Sequence, residues 1–365
     1  MIMERRIRFA VLALVCAISL LTGCQPVTVN PGTVKEETAH FNYRYASAEE
    51  GRQIILSNTA YFDALTQNDI DWKFRCTGKT LDEFKTFTAN QIKDFTEEEK
   101  KALDATINSV EARLCALGIG LPQTEEIIFI KSDMEDATGA AGYTLGYSIY
   151  LSSFFIETIT ELWQGKQPYT PDYNEYFSLM APYIVAHELF HCLSRNDATF
   201  RQRLYSLIGF TIMDHEVEFG PTVRNMLLMN PDVERYDNWA EFTINGEKRR
   251  CILVAVYACS FAEVAATDPG ASFLYYLNCV LVPLDDTDTM IPFEQASDFY
   301  EVMGHNTDYI LAADECMADN FAFLVTAGFN GHYEFWDDKL QFVPYQTPRL
   351  ILNIHKTLQE LYPKD

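Results

Sequence analysis

Apolar residues along the chain recur first at helical and then at strand-like spacing. Residues 46–118 read as helices, with Ile54, Ile55, Phe62 and Leu65 as the apolar positions of Ala48 to Leu65. Thr96-Glu97-Glu98-Glu99 predicts a helix start, a Thr cap followed by an acidic first turn. That helix runs through Leu103, Ile107, Val110 and Leu114 and stops at Gly118 and Gly120. Glu126 to Lys131 is a short apolar run with strand character, Gly139 to Gly146 a flexible turn, and Tyr147 to Ser152 a second strand. Residues 175–194 are then helical. Glu241 to Ile244, Ile252 to Tyr257 and Phe273 to Val282 look strand-like, the last also compatible with a buried helix. Residues 309–327 form a strongly apolar helix, and no internal repeat is visible.

The first residues follow another pattern. Arg5, Arg6 and Arg8 precede an uncharged run from Phe9 to Leu20, too short to span a bilayer and laid out like a secretory signal. It ends in Leu21-Thr22-Gly23-Cys24, which resembles a bacterial lipobox. The resemblance implies that residues 1–23 are a signal peptide, and that Cys24 is lipidated and anchors the protein to the membrane, facing outside the cytoplasm. Residues 24–45, rich in Pro, Thr, Val and Gly over their first part, read as a flexible tether. A helical region over 46–120 and a catalytic region over 121–365 follow, expected to form one compact unit. No second membrane span follows Leu21.

Composition narrows the function classes. With 365 residues, 48% of them apolar, the chain can bury a sizeable core and is not a disordered protein. Its net charge is −24, and removal of residues 1–23, with three Arg and one Glu, brings it to about −26. A nucleic-acid partner is excluded for want of a basic footprint. After Cys16 and Cys24, seven cysteines remain at irregular spacings without a C-x-x-C, which argues against both a disulfide framework and a zinc ribbon.

The chemistry sits in His187-Glu188-Leu189-Phe190-His191, an H-E-x-x-H sequence. On a helix, positions i and i+4 share a face, so both imidazoles can reach one zinc ion. Glu188 then stands beside that ion, where it can take a proton from water. Apolar flanks, Tyr183 to Ala186 and Cys192-Leu193, mark the helix as buried, and Pro182 is expected near its start. A catalytic zinc needs a third protein ligand. Ser194 and Asp197 occupy positions where a metzincin has Gly and His, so that class is disfavoured. Downstream, the spacing Glu-x-x-x-Asp occurs as Glu294/Asp298, Glu315/Asp319 and Glu334/Asp338. Only Glu315-Cys-Met-Ala-Asp319 lies in an apolar helix, where two carboxylates need a partner. Glu294, Glu334, Glu216, Glu218, His215 and Asp197 stay open as alternatives.

These two helices resemble the gluzincins, the thermolysin- and neprilysin-like zinc metallopeptidases, and are also similar to uncharacterised bacterial exported proteins. The resemblance implies Glu315 as third ligand and Asp319 as the group that braces the first histidine. It also implies an α+β, zincin-like fold, mostly helical, with a small mixed sheet whose edge strand precedes the H-E-x-x-H helix and pairs with an extended peptide or protein substrate. Tyr147 to Ser152 is expected to be that edge, with glycines 139, 142 and 146 permitting close backbone approach. Glu188 is the expected general base. A donor to the developing oxyanion is sought among His305, Tyr309, His332 and Tyr143, with His305 and Tyr309 first because they directly precede the Glu315 helix. The competing reading is a non-catalytic lipoprotein that keeps a zinc site. Cys192 and Cys316 adjoin the expected ligands but point about 100° away from them on their helices. Substrate identity and oligomeric state are left open.

Overall fold

The computed structural model describes residues 41–364; the signal segment, Cys24 and most of the expected tether lie outside them. The folded unit begins earlier than expected, because Phe41 is buried and Tyr43–Tyr45 is a strand, β1. The molecule is of mixed α+β architecture, nearly half helical, with several small sheets.

The first sheet contains β1, β2 (Ile92–Lys93), β3 (Ile127–Ser132), β4 (Gly142–Leu145) and β5 (Ser148–Ser152). Strand β3 is central, parallel to β1 and β5 and antiparallel to β2. Its run Ile-Ile-Phe-Ile is what a strand covered on both faces requires. Lys131 is buried there and reaches Glu99 at 2.6 Å. The same Glu99 closes a capping box with Thr96, which starts the helix Glu97–Ala116 where expected. Two expectations are corrected here. Tyr147 to Ser152 is an interior strand, because half of the expected turn 139–146 is itself a strand, β4, and β4 forms the edge. Gly139, at φ 82°, and Gly146, at φ 59°, keep the turn role, the latter inside the tight hairpin between β4 and β5.

The H-E-x-x-H helix spans Pro171–Asn196, with Thr170 preceding Pro171 at its first position. Pro182 is therefore interior rather than near the start. Every residue from Met180 to Ser194 is buried, and so is every residue from Ala313 to Thr326 in the helix Ala313–Ala327. Helices that are apolar nearly all round must lie inside the protein. These two pack on each other through Tyr183–Phe323 and Phe190–Phe321, with ring centroids 5.7 and 5.6 Å apart. The expected helix start at 309 moves to Ala313, and Ala48 to Leu65 splits into Ala48–Ser57 and Thr59–Ala64.

The second sheet is antiparallel, in the order β10 (Ile291–Pro292), β9 (Leu277–Pro283), β8 (Glu247–Tyr257), β7 (Asn238–Ile244) and β6 (Thr211–Ile212). Phe273 to Val282 resolves into a helical turn, Phe273–Tyr276, followed by β9. A separate hairpin pairs β11 (Gly331–Trp336) with β12 (Lys339–Pro344). The second sheet also anchors a segment important for the site. Leu228 donates to the Ala255 carbonyl at 3.0 Å and Met229 to Asp69 at 3.0 Å, which fixes the chain just before Asn230-Pro231-Asp232. Among the described residues no helix is long and apolar enough to cross a membrane.

Candidate metal centre

His187 and His191 project from one face of their helix, one turn apart, with ring centroids 5.0 Å from each other. The Glu315 helix crosses opposite them. Glu315 Oε2 lies 3.1 Å from His187 Nε2 and 3.5 Å from His191 Nε2. All three residues are buried, and their ligand atoms form one of two groups among the described residues spaced to hold a metal ion. The second group is Glu188, His191 and Asp232. Cys192 and Cys316 belong to neither.

Hydrogen bonds orient this cluster. His187 Nδ1 is paired with Asp319 Oδ1 at 2.9 Å and its Nε2 donates to Glu315 Oε2, so both ring nitrogens face carboxylates; in the neutral ring Asp319 favours the proton on Nδ1 and leaves Nε2 free for a metal. Asp319 is in turn held by the hydroxyls of Tyr183 and Thr307, and Asn230 donates to Glu315 Oε1. Burial opposes charge on His187, but the carboxylates of Asp319 and Glu315 outweigh it and hold its pKa well above the ordinary imidazole value. Burial likewise opposes ionisation of Glu315, and the two histidines overcome it and hold that carboxyl well below the usual range. For His191 burial dominates and lowers the pKa to about 4, so its imidazole is neutral.

The buried atoms can be tested for metal fit directly. His191 Nε2 is buried with no hydrogen-bond partner and points at the space shared with His187 and Glu315. An orphaned nitrogen in so dry a place is costly unless something binds it. Two imidazoles and a carboxylate match the three-ligand set of a catalytic zinc site with an open fourth position. The residues present therefore fit zinc.

Glu188 stands beside the cluster, 3% exposed, and burial pushes its carboxyl up to about 7. The Thr144 hydroxyl donates to Glu188 Oε2 at 2.7 Å. Two residues along β4, a Cβ on Gly142 would sit 3.1 Å from Glu188 Oε1, so glycine there keeps room for the carboxylate. A cleft of about 140 Å³ opens at this point, with Ala140 to Gly142, His187, Glu188 and Tyr309 in its lining.

The other expected residues separate clearly. Tyr309 lines the cleft with its ring 6.0 Å from that of His187, and burial, then the charges of Glu315 and Asp232, keep its hydroxyl protonated. His305 does not line the cleft: its ring stacks on Tyr300 at 3.8 Å, and its Nε2 lies 3.5 Å from Asp308. His332 stacks on Phe323 at 4.2 Å and lies 3.0 Å from Glu334. Tyr143 stacks on Tyr150, on the face of β4 opposite to Gly142 and Thr144. Asp197 caps the next helix through the Thr199 and Phe200 amides, Glu216 accepts from the Tyr236 amide, and His215 is exposed beside Asp214.

Thr144, Asn230, Asp232, Tyr183 and Thr307 were not anticipated. Only Tyr183 carried a signal, since it lies one helical turn before His187. Asn230 and Asp232 belong to a segment without periodicity and reach the site through the packing of the second sheet. No protein-family model matches the chain, and neither a curated protein nor a solved structure matches it.

Proposed function

We propose that the chain is a zinc-dependent metallopeptidase of the gluzincin type with a zincin-like fold, anchored outside the cytoplasm through a lipid on Cys24. One observation carries the reading. Two imidazoles, one of them with an orphaned buried nitrogen, converge with a carboxylate directly beside a buried glutamate and the open edge of a sheet. A purely structural zinc would fill its fourth position with His or Cys and would not call for Glu188.

His187, His191 and Glu315 are the residues that would hold zinc, which when bound lowers the pKa of water and polarises a peptide carbonyl. Glu188 takes the proton from the attacking water and passes it to the leaving amine. The Thr144 hydroxyl aims the Glu188 carboxylate, and Gly142 lets it approach the strand. Asp319 keeps His187 in the ligating tautomer. Tyr309, protonated and next to His187, is the donor available to the developing oxyanion. A peptide laid along β4 meets the amide and carbonyl of Gly142.

Purified protein should contain about one zinc per chain. Glu188→Gln should keep that zinc and lose peptidase turnover by about 100-fold or more, because glutamine cannot accept the proton. Protein prepared without chelators yet devoid of stoichiometric metal would sink the reading. For the anchor, Cys24→Ala should move the protein from the membrane fraction to the soluble one.

A further inference from the structure

Strand β4 is the rail of the cleft, and its hydrogen-bonding pattern decides how far a bound peptide can run. Ser152 donates to the Ala141 carbonyl at 2.9 Å, which makes Ala141 and Ser152 a hydrogen-bonded pair. In an antiparallel ladder such pairs alternate with pairs whose main-chain groups face outward. Tyr143 and Leu145 therefore turn their amides and carbonyls toward β5, and Gly142 and Thr144 turn theirs to the open edge.

One of these outward amides is already used. Thr144 N–H donates to Asp232 Oδ1 at 2.6 Å. Asp232 is 6% exposed and lies in the cleft wall with Asn230 and Pro231. Arg195 locks this wall to the sheet, donating to the carbonyls of Gly146, Pro231 and Asp232 at 3.0, 3.1 and 2.9 Å. Asn230 fastens the same wall to Glu315. A peptide paired with Gly142 is thus free to extend toward Ala140, where the cleft continues, and is stopped at Thr144. The two positions are about 7 Å apart along the strand, room for one residue.

The chemistry of the stop selects which end of a peptide it takes. Asp232 offers an oxygen within 4.8 Å of the Glu188 carboxylate and a His191 nitrogen. Its second oxygen accepts no hydrogen bond among the described residues, the Thr144 amide being the donor to its first. Arg195 is committed to carbonyls. Lys73, the one Lys or Arg side chain in the cleft lining among the described residues, is bound to the Tyr61 hydroxyl and the Met229 carbonyl beside Asp69 and Asp136. Burial, then the charges of Glu188 and Glu315, hold the Asp232 carboxyl well above its ordinary pKa, so a further carboxylate would be repelled there, whereas an α-ammonium would supply the cation that lets Asp232 ionise.

We infer that the site is built for the free N-terminus of a peptide: the Asn230–Asp232 wall ends the β4 rail one residue from the reacting centre, and the Asp232 carboxylate receives the α-ammonium group. The substrate then runs antiparallel to β4, and the reaction adds water across the first peptide bond, releasing the N-terminal amino acid and a shortened peptide with a new free amine. The inference rests on the peptidase reading.

The test compares one set of unstructured decapeptides with free and with acetylated N-termini, using zinc-loaded protein and mass spectrometry of the products. Free peptides should lose their first residue, and acetylated ones should be cut at least about 100-fold more slowly. Asp232→Asn, which still accepts from the Thr144 amide, should lower kcat/KM on free peptides by about 10- to 100-fold, shrink the ratio of free to acetylated rates by a similar factor and retain zinc. A readout without turnover is binding to Glu188→Gln, where calorimetry should give at least about tenfold tighter binding of the free peptide than of the acetylated one. Equal internal cleavage of both sets, or equal binding of both, would overturn the N-terminal inference and leave the peptidase reading standing. No hydrolysis of any peptide by zinc-loaded protein would overturn both.

Discussion

Glu315/Asp319 and Glu294/Asp298 share one spacing and have opposite fates. The first pair lies on a helix buried at every residue from Ala313 to Thr326, and both carboxylates face histidines. The second lies at the margin of the antiparallel sheet, where Glu294 is exposed on a short turn, Phe293–Gln295. There Asp298 accepts from the Thr243 amide and hydroxyl at 2.7 and 2.6 Å and from Lys248 at 2.9 Å. A third pair, Glu334/Asp338, is not helical at all, since Glu334 belongs to β11. Spacing places two carboxylates together only where the chain is a helix. Burial then decides whether they need a cation-binding role or serve as surface ties.

Substitutions sharpen this contrast, beginning with the largest effect. Glu315→Ala should weaken zinc binding by more than about 100-fold in a competition titration, and Glu294→Ala should leave it unchanged. The assignment of Glu315 fails if the two results are exchanged. Asp319→Ala should weaken zinc by roughly 10- to 100-fold, because it removes only the brace on His187, and Asp298→Ala should not affect zinc.

Acidity separates the same two regions. In the metal-free protein the raised pKa of His187 means that its charged pairing stabilises the fold fully below the ordinary imidazole pKa and is lost as pH rises through the folded value. Zinc must displace that proton. Its affinity should therefore fall about tenfold per pH unit as pH drops below the folded pKa, measured by titration with a chelator of known affinity. A zinc affinity independent of pH would contradict the pairing. At the sheet margin the sign reverses. Burial works against the Asp298 charge, but hydrogen bonds from Thr243 and Lys248 prevail and lower its pKa to about 2. Its contribution is present above the ordinary Asp value and disappears as pH falls through about 2. Asp298→Ala should cost about 1 kcal/mol in urea unfolding at neutral pH, and the difference from wild type should vanish at the acid end.

Much of this was legible before folding, because local rules govern it. The Thr96–Glu99 cap, the apolar helix around His187 and the strand through Ile127 to Ile130 follow from short-range spacing. So did the juxtaposition of His187, Glu188 and His191, since one helical turn sets it. Glu315 was singled out because its surroundings are too apolar for a free carboxylate. The edge strand was misassigned because Gly142 to Leu145 is short and glycine-flanked, so it reads as a turn until β5 pairs with it. His305 was favoured for its nearness in sequence to the Glu315 helix, whereas its ring turns away to stack on Tyr300.

The sequence by itself put His187, Glu188 and His191 on one helical turn, favoured Glu315 over the other open carboxylates, and determined which helices must be buried to carry them. Helical periodicity and the cost of burying charge suffice for that, and both are local. Tertiary structure alone decided how these side chains are held and which residues wall the cleft. Asp232 meets Thr144 across 88 residues and Asn230 meets Glu315 across 85, by way of a sheet that shares no periodicity with the site. Contacts of that kind depend on the relative placement of whole elements, which no spacing along the chain encodes.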